Sequence, residues 1–336
     1  MRHGCRKIAC RWGFLPLLGA VVLALTPGCI SSQAEDSVVG AVSGESGTGA
    51  TAQARVVVTT GYGAEVVVDA VAKLAEGTTA MQALASVADV GTAYGGGFVQ
   101  SIDGIGDTRS ARADWFYSIN GVLANCGAAG QVLRDGDVEH WDFREWKFRR
   151  NVSATMGCFP AFLVNGYGGR VRPTVVAYGA AYESEALAIA DKLAQLGADD
   201  VECIELPSLP EQWQRERNLI IVAGPDDALV RDVYASWDRL GLFTRMDTST
   251  LSLFTASGEE TVMSDDAVGL LQPLQNPWND SGVGACEAVV LLVSGMDSDG
   301  VRAAAKALIE NGDAMTTWCG AVVRDGVVVP VPLRMP

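Results

Sequence analysis

The chain has 336 residues, with 25 Lys+Arg against 40 Asp+Glu, a formal charge of −15 and a pI near 4.5. Such a surface repels polyanions and anionic lipid, which excludes a basic nucleic-acid binder. A composition of 49% hydrophobic and 19% charged residues describes a globular chain long enough for two domains, and with only His3 and His140 it is poorly supplied for His-dependent catalysis, so it reads as a non-enzyme with no cofactor and no metal site.

Residues 1–28 read as a signal peptide. Arg2, Arg6, Lys7 and Arg11 precede an apolar run from Trp12 to Leu25, shorter than the roughly 20 residues that span a membrane. The stretch Leu25-Thr26-Pro27-Gly28-Cys29 resembles a bacterial lipobox, with Thr26 and Pro27 as departures. The resemblance implies cleavage before Cys29 and lipidation of its thiol; a plain secretory signal cut nearby is the alternative. Residues 29–53, rich in Ser, Gly and Ala, cannot bury a core and form a flexible tether, reaching about 25–30 Å for ~24 residues. The expected location is therefore extracytoplasmic, on the outer face of a bacterial cell membrane, with a lipid anchor as the only membrane contact. Beyond the anchor stand Cys126, Cys158, Cys203, Cys286 and Cys319, an odd count that reads as one or two disulfides plus buried thiols.

Residues 54–149 form the first predicted domain. Arg55–Thr60 and Ala64–Val68 are β-branched runs broken at Gly61-Tyr62-Gly63, a hairpin. Thr78-Thr79 caps a short helix over Ala80–Ala88. Phe98–Ile102, Trp115–Ile119 and Val138–Phe143 alternate as half-buried strands, and Asn120-Gly121 supplies a tight turn. Asp103, Asp107 and Asp114 read as solvated turn acids, and Arg144, Lys147, Arg149 and Arg150 as a basic strand end at the surface.

Several of these words resemble the transcobalamin-like C-terminal domain family: Gly77-Thr78-Thr79-Ala80-Met81-Gln82-Ala83-Leu84, Gly97-Phe98-Val99-Gln100-Ser101-Ile102-Asp103-Gly104-Ile105, Trp115-Phe116-Tyr117-Ser118-Ile119-Asn120-Gly121 and Leu133-Arg134-Asp135-Gly136-Asp137-Val138. The resemblance implies a β-grasp-like fold and, as in vertebrate cobalamin carriers, a surface that closes over one face of a corrinoid. Nothing in this chain resembles the helical barrel that holds the other face there. A flat, amide-fringed macrocycle needs aromatic faces and backbone or amide groups, which makes Tyr94, Gly95, Gly96, Phe98, Ser101, Trp115, Tyr117 and Asn120 the candidate ligand-binding residues. Because Phe116 faces opposite to Trp115 and Tyr117, some of these aromatics belong to the core.

Residues 170–336 change period. Strands Thr174–Tyr178, Val201–Leu206, Leu219–Ala223 and Ala288–Val293 alternate with helices Ser184–Leu196 (Leu187, Ile189, Ala190 and Leu193 inward), Asp226–Leu240 and Ser298–Ile309, and Val327–Val331 ends the chain's strands. The fold class is thus α+β followed by α/β: a small β-grasp-like domain, then a domain with a mainly parallel sheet. Aspartates at the strand ends near Gly224 and Gly295 read as helix caps; they would repel a phosphate. The run Gly269–Asn279 with Ala288–Gly295 and Asp299–Leu308 resembles an α/β module of S-layer and related envelope proteins, which implies an envelope role. Two functions follow: a surface lipoprotein that binds cobalamin or a similar nutrient and delivers it to a membrane transporter, or an envelope structural or adhesion protein without a small-molecule ligand.

Overall fold

The structure, a computed structural model, describes residues 51–106, 112–264 and 267–334; the signal segment, Cys29, most of the tether and Asp107 lie outside the described residues. Strand β1 (Gln53–Thr60) turns at Gly61-Tyr62-Gly63, all three with positive φ, into β2 (Glu65–Lys73). Gly63 admits no side chain, because a Cβ there would lie 1.9 Å from the carbonyl oxygen of Thr317. At this turn the two halves of the chain meet backbone to backbone.

Thr79 opens α1 (Ala80–Ala85) with a reciprocal capping box: its hydroxyl accepts from the Gln82 amide while the Gln82 side chain accepts from the Thr79 amide at 2.9 Å. The helix stops before the expected Ala88. Strands β3 (Val90–Ala93), β4 (Phe98–Ile102) and β5 (Ile105–Gly106) make a small antiparallel sheet of their own. Strands β6 (Ala113–Ile119), β7 (Val122–Leu123) and β8 (Val138–Glu145) complete a five-stranded sheet in the order β2-β1-β8-β6-β7. Only β1 and β8 run parallel. Asn120 (φ 52°) and Gly121 (φ 81°) form the turn that this pair predicts. One face of the sheet buries Val56, Val58, Ile119 and Trp141 with Leu84 of α1 and Ile102 of β4.

A connector holding α2 (Ala161–Val164) leads into β9 (Thr174–Tyr178), α3 (Glu183–Gln195), β10 (Val201–Glu205), α4 (Glu211–Glu216), β11 (Asn218–Val222) and α5 (Ala228–Ala235). A three-stranded antiparallel sheet, β12 (Thr244–Met246), β13 (Leu251–Phe254) and β14 (Glu260–Met263), follows; then come β15 (Gly269–Gln275), β16 (Val289–Gly295), α6 (Ser298–Asn311), β17 (Gly320–Arg324) and β18 (Val327–Val331). The main sheet has seven strands in the order β10-β9-β11-β16-β15-β17-β18, with the first four parallel and the rest added antiparallel. The architecture is a small mixed-sheet domain followed by an α/β domain with a largely parallel sheet. Every residue of β9, β11, β15 and β16 is buried, as continuous apolar strands require when both faces are covered. One cover is α3 with α6, through Ile189, Leu193, Val301 and Leu308; the other is α5 with β12–β14, through Val230, Tyr234, Leu251 and Leu253. Asp227 caps α5 by accepting from Leu229 N, and Asp297 caps α6 by accepting from Gly300 N, so both aspartates serve as the caps expected of them. Ala50–Pro336 pack as one compact unit.

Several expectations need correction. Leu187 is 51% exposed, because the buried stripe of α3 runs through Ala186, Ile189 and Leu193. Helix α5 ends at Ala235 rather than Leu240, and Leu240, Leu242 and Phe243 are buried from the segment that follows it. All five described cysteines are free thiols, so no disulfide is formed among them. No helix of the described residues is long and apolar enough to cross a membrane.

Candidate functional site

The link from β3 to β4 places Tyr94 (φ 51°), Gly95 (φ 72°) and Gly96 (φ 92°) in three successive left-handed conformations. Two glycines make this cheap, and the result lifts Tyr94 clear of the protein. Tyr94 is 92% exposed and Phe98 43%, their rings edge to face with centroids 6.3 Å apart. A Cβ at Gly95 or Gly96 would meet nothing within 4 Å, so the space where their side chains would stand is open. Tyr94, Gly95, Gly96 and Phe98 thus form one exposed aromatic prominence.

The other four residues lie apart from it. Ser101 is half-buried on β4 with its hydroxyl against Gly91. Trp115 is 8% exposed, its ring 5.2 Å from Phe143. Tyr117 stacks on Trp141 at 4.7 Å and donates its hydroxyl to the Cys126 carbonyl at 2.6 Å; burial pushes that hydroxyl well above its ordinary pKa. Asn120 is fully buried, donating to Asp137 Oδ1 and Gly166 O and accepting from Val138 N. It latches a turn, and every part of its amide is occupied. Strand alternation places residues on faces but does not reveal which face a helix and a second small sheet will cover.

The opposite face of the five-stranded sheet meets the α/β half and, apart from Val57 and Phe116, is largely polar. Thr59 donates to Asp142 Oδ1 at 2.8 Å and lies 2.8 Å from His140 Nε2, so the imidazole donates to the hydroxyl oxygen. Asp142 also accepts from the amides of Tyr62 and Gly63, each at 3.1 Å, and faces Arg144 Nη1 at 3.5 Å. The Arg144 guanidinium lies over the rings of Phe116 and Tyr62. Burial holds the His140 pKa down to about 4, against the pull of Asp142, and leaves the ring neutral at pH 7. This corrects the reading of Arg144 and Arg149 as a surface strand end. Both are buried, and Arg149 donates to the Leu242 carbonyl at 2.8 Å while its guanidinium lies 4.3 Å from the Trp237 ring centroid.

A cleft of 560 Å³, a size common for ligand sites, opens where the β1–β2 turn meets the segment after β13 and the end of β18; Tyr62, Glu65, Glu145, Ser257, Pro332 and Arg334 are in its lining. None of the eight candidates contributes to it. Its walls come from four stretches far apart in the sequence, so no local motif announces it. Asp103 accepts from Asp89 N, and Asp114 from Trp146 Nε1. Among the described residues no group of three or more His, Cys, Asp or Glu is placed to hold a metal ion.

A family model described as Domain of unknown function (DUF4430) matches residues 77–145, from just before α1 to the end of β8. Residues 77–145 form a DUF4430 domain. The aromatic prominence lies inside this DUF4430 segment, whereas β1, β2 and the whole α/β half lie outside it. A solved structure from Ruminococcus gnavus, described as a "putative metal binding protein", is 18% identical over 28% of this chain and 97% of its own, with a TM-score of 0.23. No curated protein matches the chain.

Proposed function

We propose that the protein is a binding protein, not an enzyme, and that it holds a large flat ligand, with a corrinoid such as cobalamin as the first candidate, against Tyr94 and Phe98. In this reading Cys29 carries the lipid anchor, the protein stands on the outer face of the bacterial membrane, and a membrane transporter receives the ligand. The observation that carries the proposal is the exposed Tyr94–Phe98 pair on an open glycine turn: apolar ring faces beside unencumbered backbone amides suit a flat macrocycle fringed with amides. The non-enzymatic reading is supported by His140, the one histidine of the folded half-chains, being sealed and neutral.

The test is titration with cobalamin, followed by corrin absorbance and by calorimetry. Tyr94→Ala and Phe98→Ala each weaken binding by about 1–3 kcal/mol if the prominence is the site. Absence of heat and of spectral change at high micromolar cobamide defeats the ligand reading; binding that survives both substitutions moves the site, with the 560 Å³ cleft next to be probed. The envelope or adhesion reading gains from β2, a nine-residue edge strand with Val66 57% and Val71 59% exposed, since an unpaired edge accepts further strands. Mass spectrometry of the mature N-terminus, with Cys29→Ala as control, tests the anchor.

A further inference from the structure

Cys126 and Cys286 belong to different halves of the molecule and meet at one junction. Cys126 follows β7 and is exposed; Cys286 lies in the loop before β16 and is 6% exposed. The residue beside each thiol ties the two loops together, Asn125 Nδ2 donating to the carbonyls of Gly284 and Ala285 at 3.3 and 3.4 Å. The Cys286 thiol itself crosses the junction to donate to the Leu123 carbonyl at 3.2 Å. Tyr167, from the connector, joins both sides: its hydroxyl lies 3.3 Å from Asn125 Oδ1 and interacts with the thiols of both Cys126 and Cys286. The remaining described cysteines are elsewhere. Cys158 and Cys319 are buried, and Cys203 sits on β10 with its thiol on the Ala186 carbonyl.

We propose that Cys126 and Cys286 form a disulfide that clasps the DUF4430 segment to the α/β half when the protein meets a disulfide oxidant. The exposed Cys126 thiolate attacks the oxidant RSSR, forming a mixed disulfide and releasing one RS⁻. The Cys286 sulfur then attacks Cys126 Sγ and releases the second RS⁻, which takes up the proton Cys286 gives away. Two thiols are oxidised, one external disulfide is reduced to two thiols, and two electrons and two protons are transferred. Burial pushes the Cys286 thiol up to about 11, which assigns the first attack to Cys126 and the resolving step to Cys286. Forming the bond replaces the current partners of the two thiols, Gln131 Oε1 for Cys126 and Leu123 O for Cys286.

The clasp closes a loop of 160 residues, the same separation as the Asn125–Ala285 contact, and so removes much freedom from the unfolded chain. The test treats the reduced full chain with oxidised glutathione, blocks remaining thiols with an alkylating agent, and maps tryptic peptides. Each of the five described cysteines falls on its own peptide, because Arg112 and Arg134 bracket Cys126 while Arg245 and Arg302 bracket Cys286. The expected result is a linked peptide pair lighter by two hydrogen atoms than the sum of its two thiol peptides, with a Tm about 5–10 °C higher than that of the reduced protein. Cys126→Ser, an exposed change that leaves the fold intact, abolishes both the link and the shift, whereas Cys203→Ser abolishes neither. Recovery of Cys286 in alkylated form beside a Cys126 that carries only glutathione overturns the proposal, as does linkage of either residue to a different cysteine. Neither outcome depends on whether the aromatic prominence binds a corrinoid.

Discussion

Strand β8 serves two unlike surfaces with adjacent residues. Glu139 and Trp141 point into an apolar core closed by α1 and the β3–β5 sheet, while His140, Asp142 and Arg144 point at the α/β half. The first surface is held by area removed from water, which tolerates changes of shape but not loss of volume. The second combines the Tyr62–Phe243 ring contact with directional bonds around a buried charge pair, and the strength of those bonds depends on every partner being present. Cohesion within the small half and registration between the halves are therefore different kinds of interaction, carried on one strand.

The largest separation between the two comes from Asp142→Ala. It leaves Arg144 buried without its counter-ion and strips acceptors from Thr59, Tyr62 and Gly63. We expect a loss of about 3–5 kcal/mol and, in urea, unfolding in two steps as the halves uncouple; a single undiminished transition would remove the distinction. Ile119→Ala, fully buried on the core face, costs about 2–4 kcal/mol and weakens the small half while leaving the docked polar contacts in place, as amide exchange at Tyr62 and Gly63 can report.

The two faces also titrate in opposite senses. Burial raises the Glu139 pKa from 4.5 to about 8, with its bond from Trp141 opposing. The folded protein keeps that proton where the unfolded chain releases it, so stability falls as pH climbs from about 4.5 to 8. His140, lowered from 6.5 to about 4, stays neutral where the unfolded chain binds a proton. Its contribution is fully present above about 6.5 and is lost as pH falls toward 4. The wild type is flattest between pH 4.5 and 6.5, where the two slopes oppose. Glu139→Gln leaves stability rising to pH 6.5 and then level; His140→Gln leaves it falling steadily above 4.5. Urea midpoints across pH 4–8 show whether the limbs separate. The smallest effect belongs to Tyr94→Ala, which touches neither surface: about 0.5 kcal/mol or less in stability, whatever it does to binding.

How much of this is legible in the sequence follows the same division. The β1–β2 hairpin, the Thr79 cap, the Asn120-Gly121 turn and β18 are local, and their residue types announce them. The apolar strands of the α/β half are equally plain because both faces of its sheet are covered. Strand β15 is not plain, since Pro273 argues against a central strand; it is accommodated because β17 pairs only with Gly269–Leu271, so no β17 residue pairs opposite the proline. The candidate site was half legible. Exposure of Tyr94 and Phe98 follows from the glycine turn, but the burial of Trp115 and Asn120 depends on what packs over them, as does the sealing of Arg144 and Arg149 by a half of the protein far away in sequence.

That distance has a consequence in time. The Thr317 hydroxyl that donates to the Gly63 carbonyl lies 254 residues downstream of it, an interval the ribosome needs on the order of tens of seconds to traverse. Once β8 has emerged, part-way through that interval, the five-stranded sheet can be assembled, yet the surface that will meet the α/β half has no partner. An apolar surface of that size would invite association between nascent chains. A surface of Thr59, Ser118, His140, Asp142 and Arg144 waits in water at little cost, and its charges become demanding only once the second half arrives to bury them.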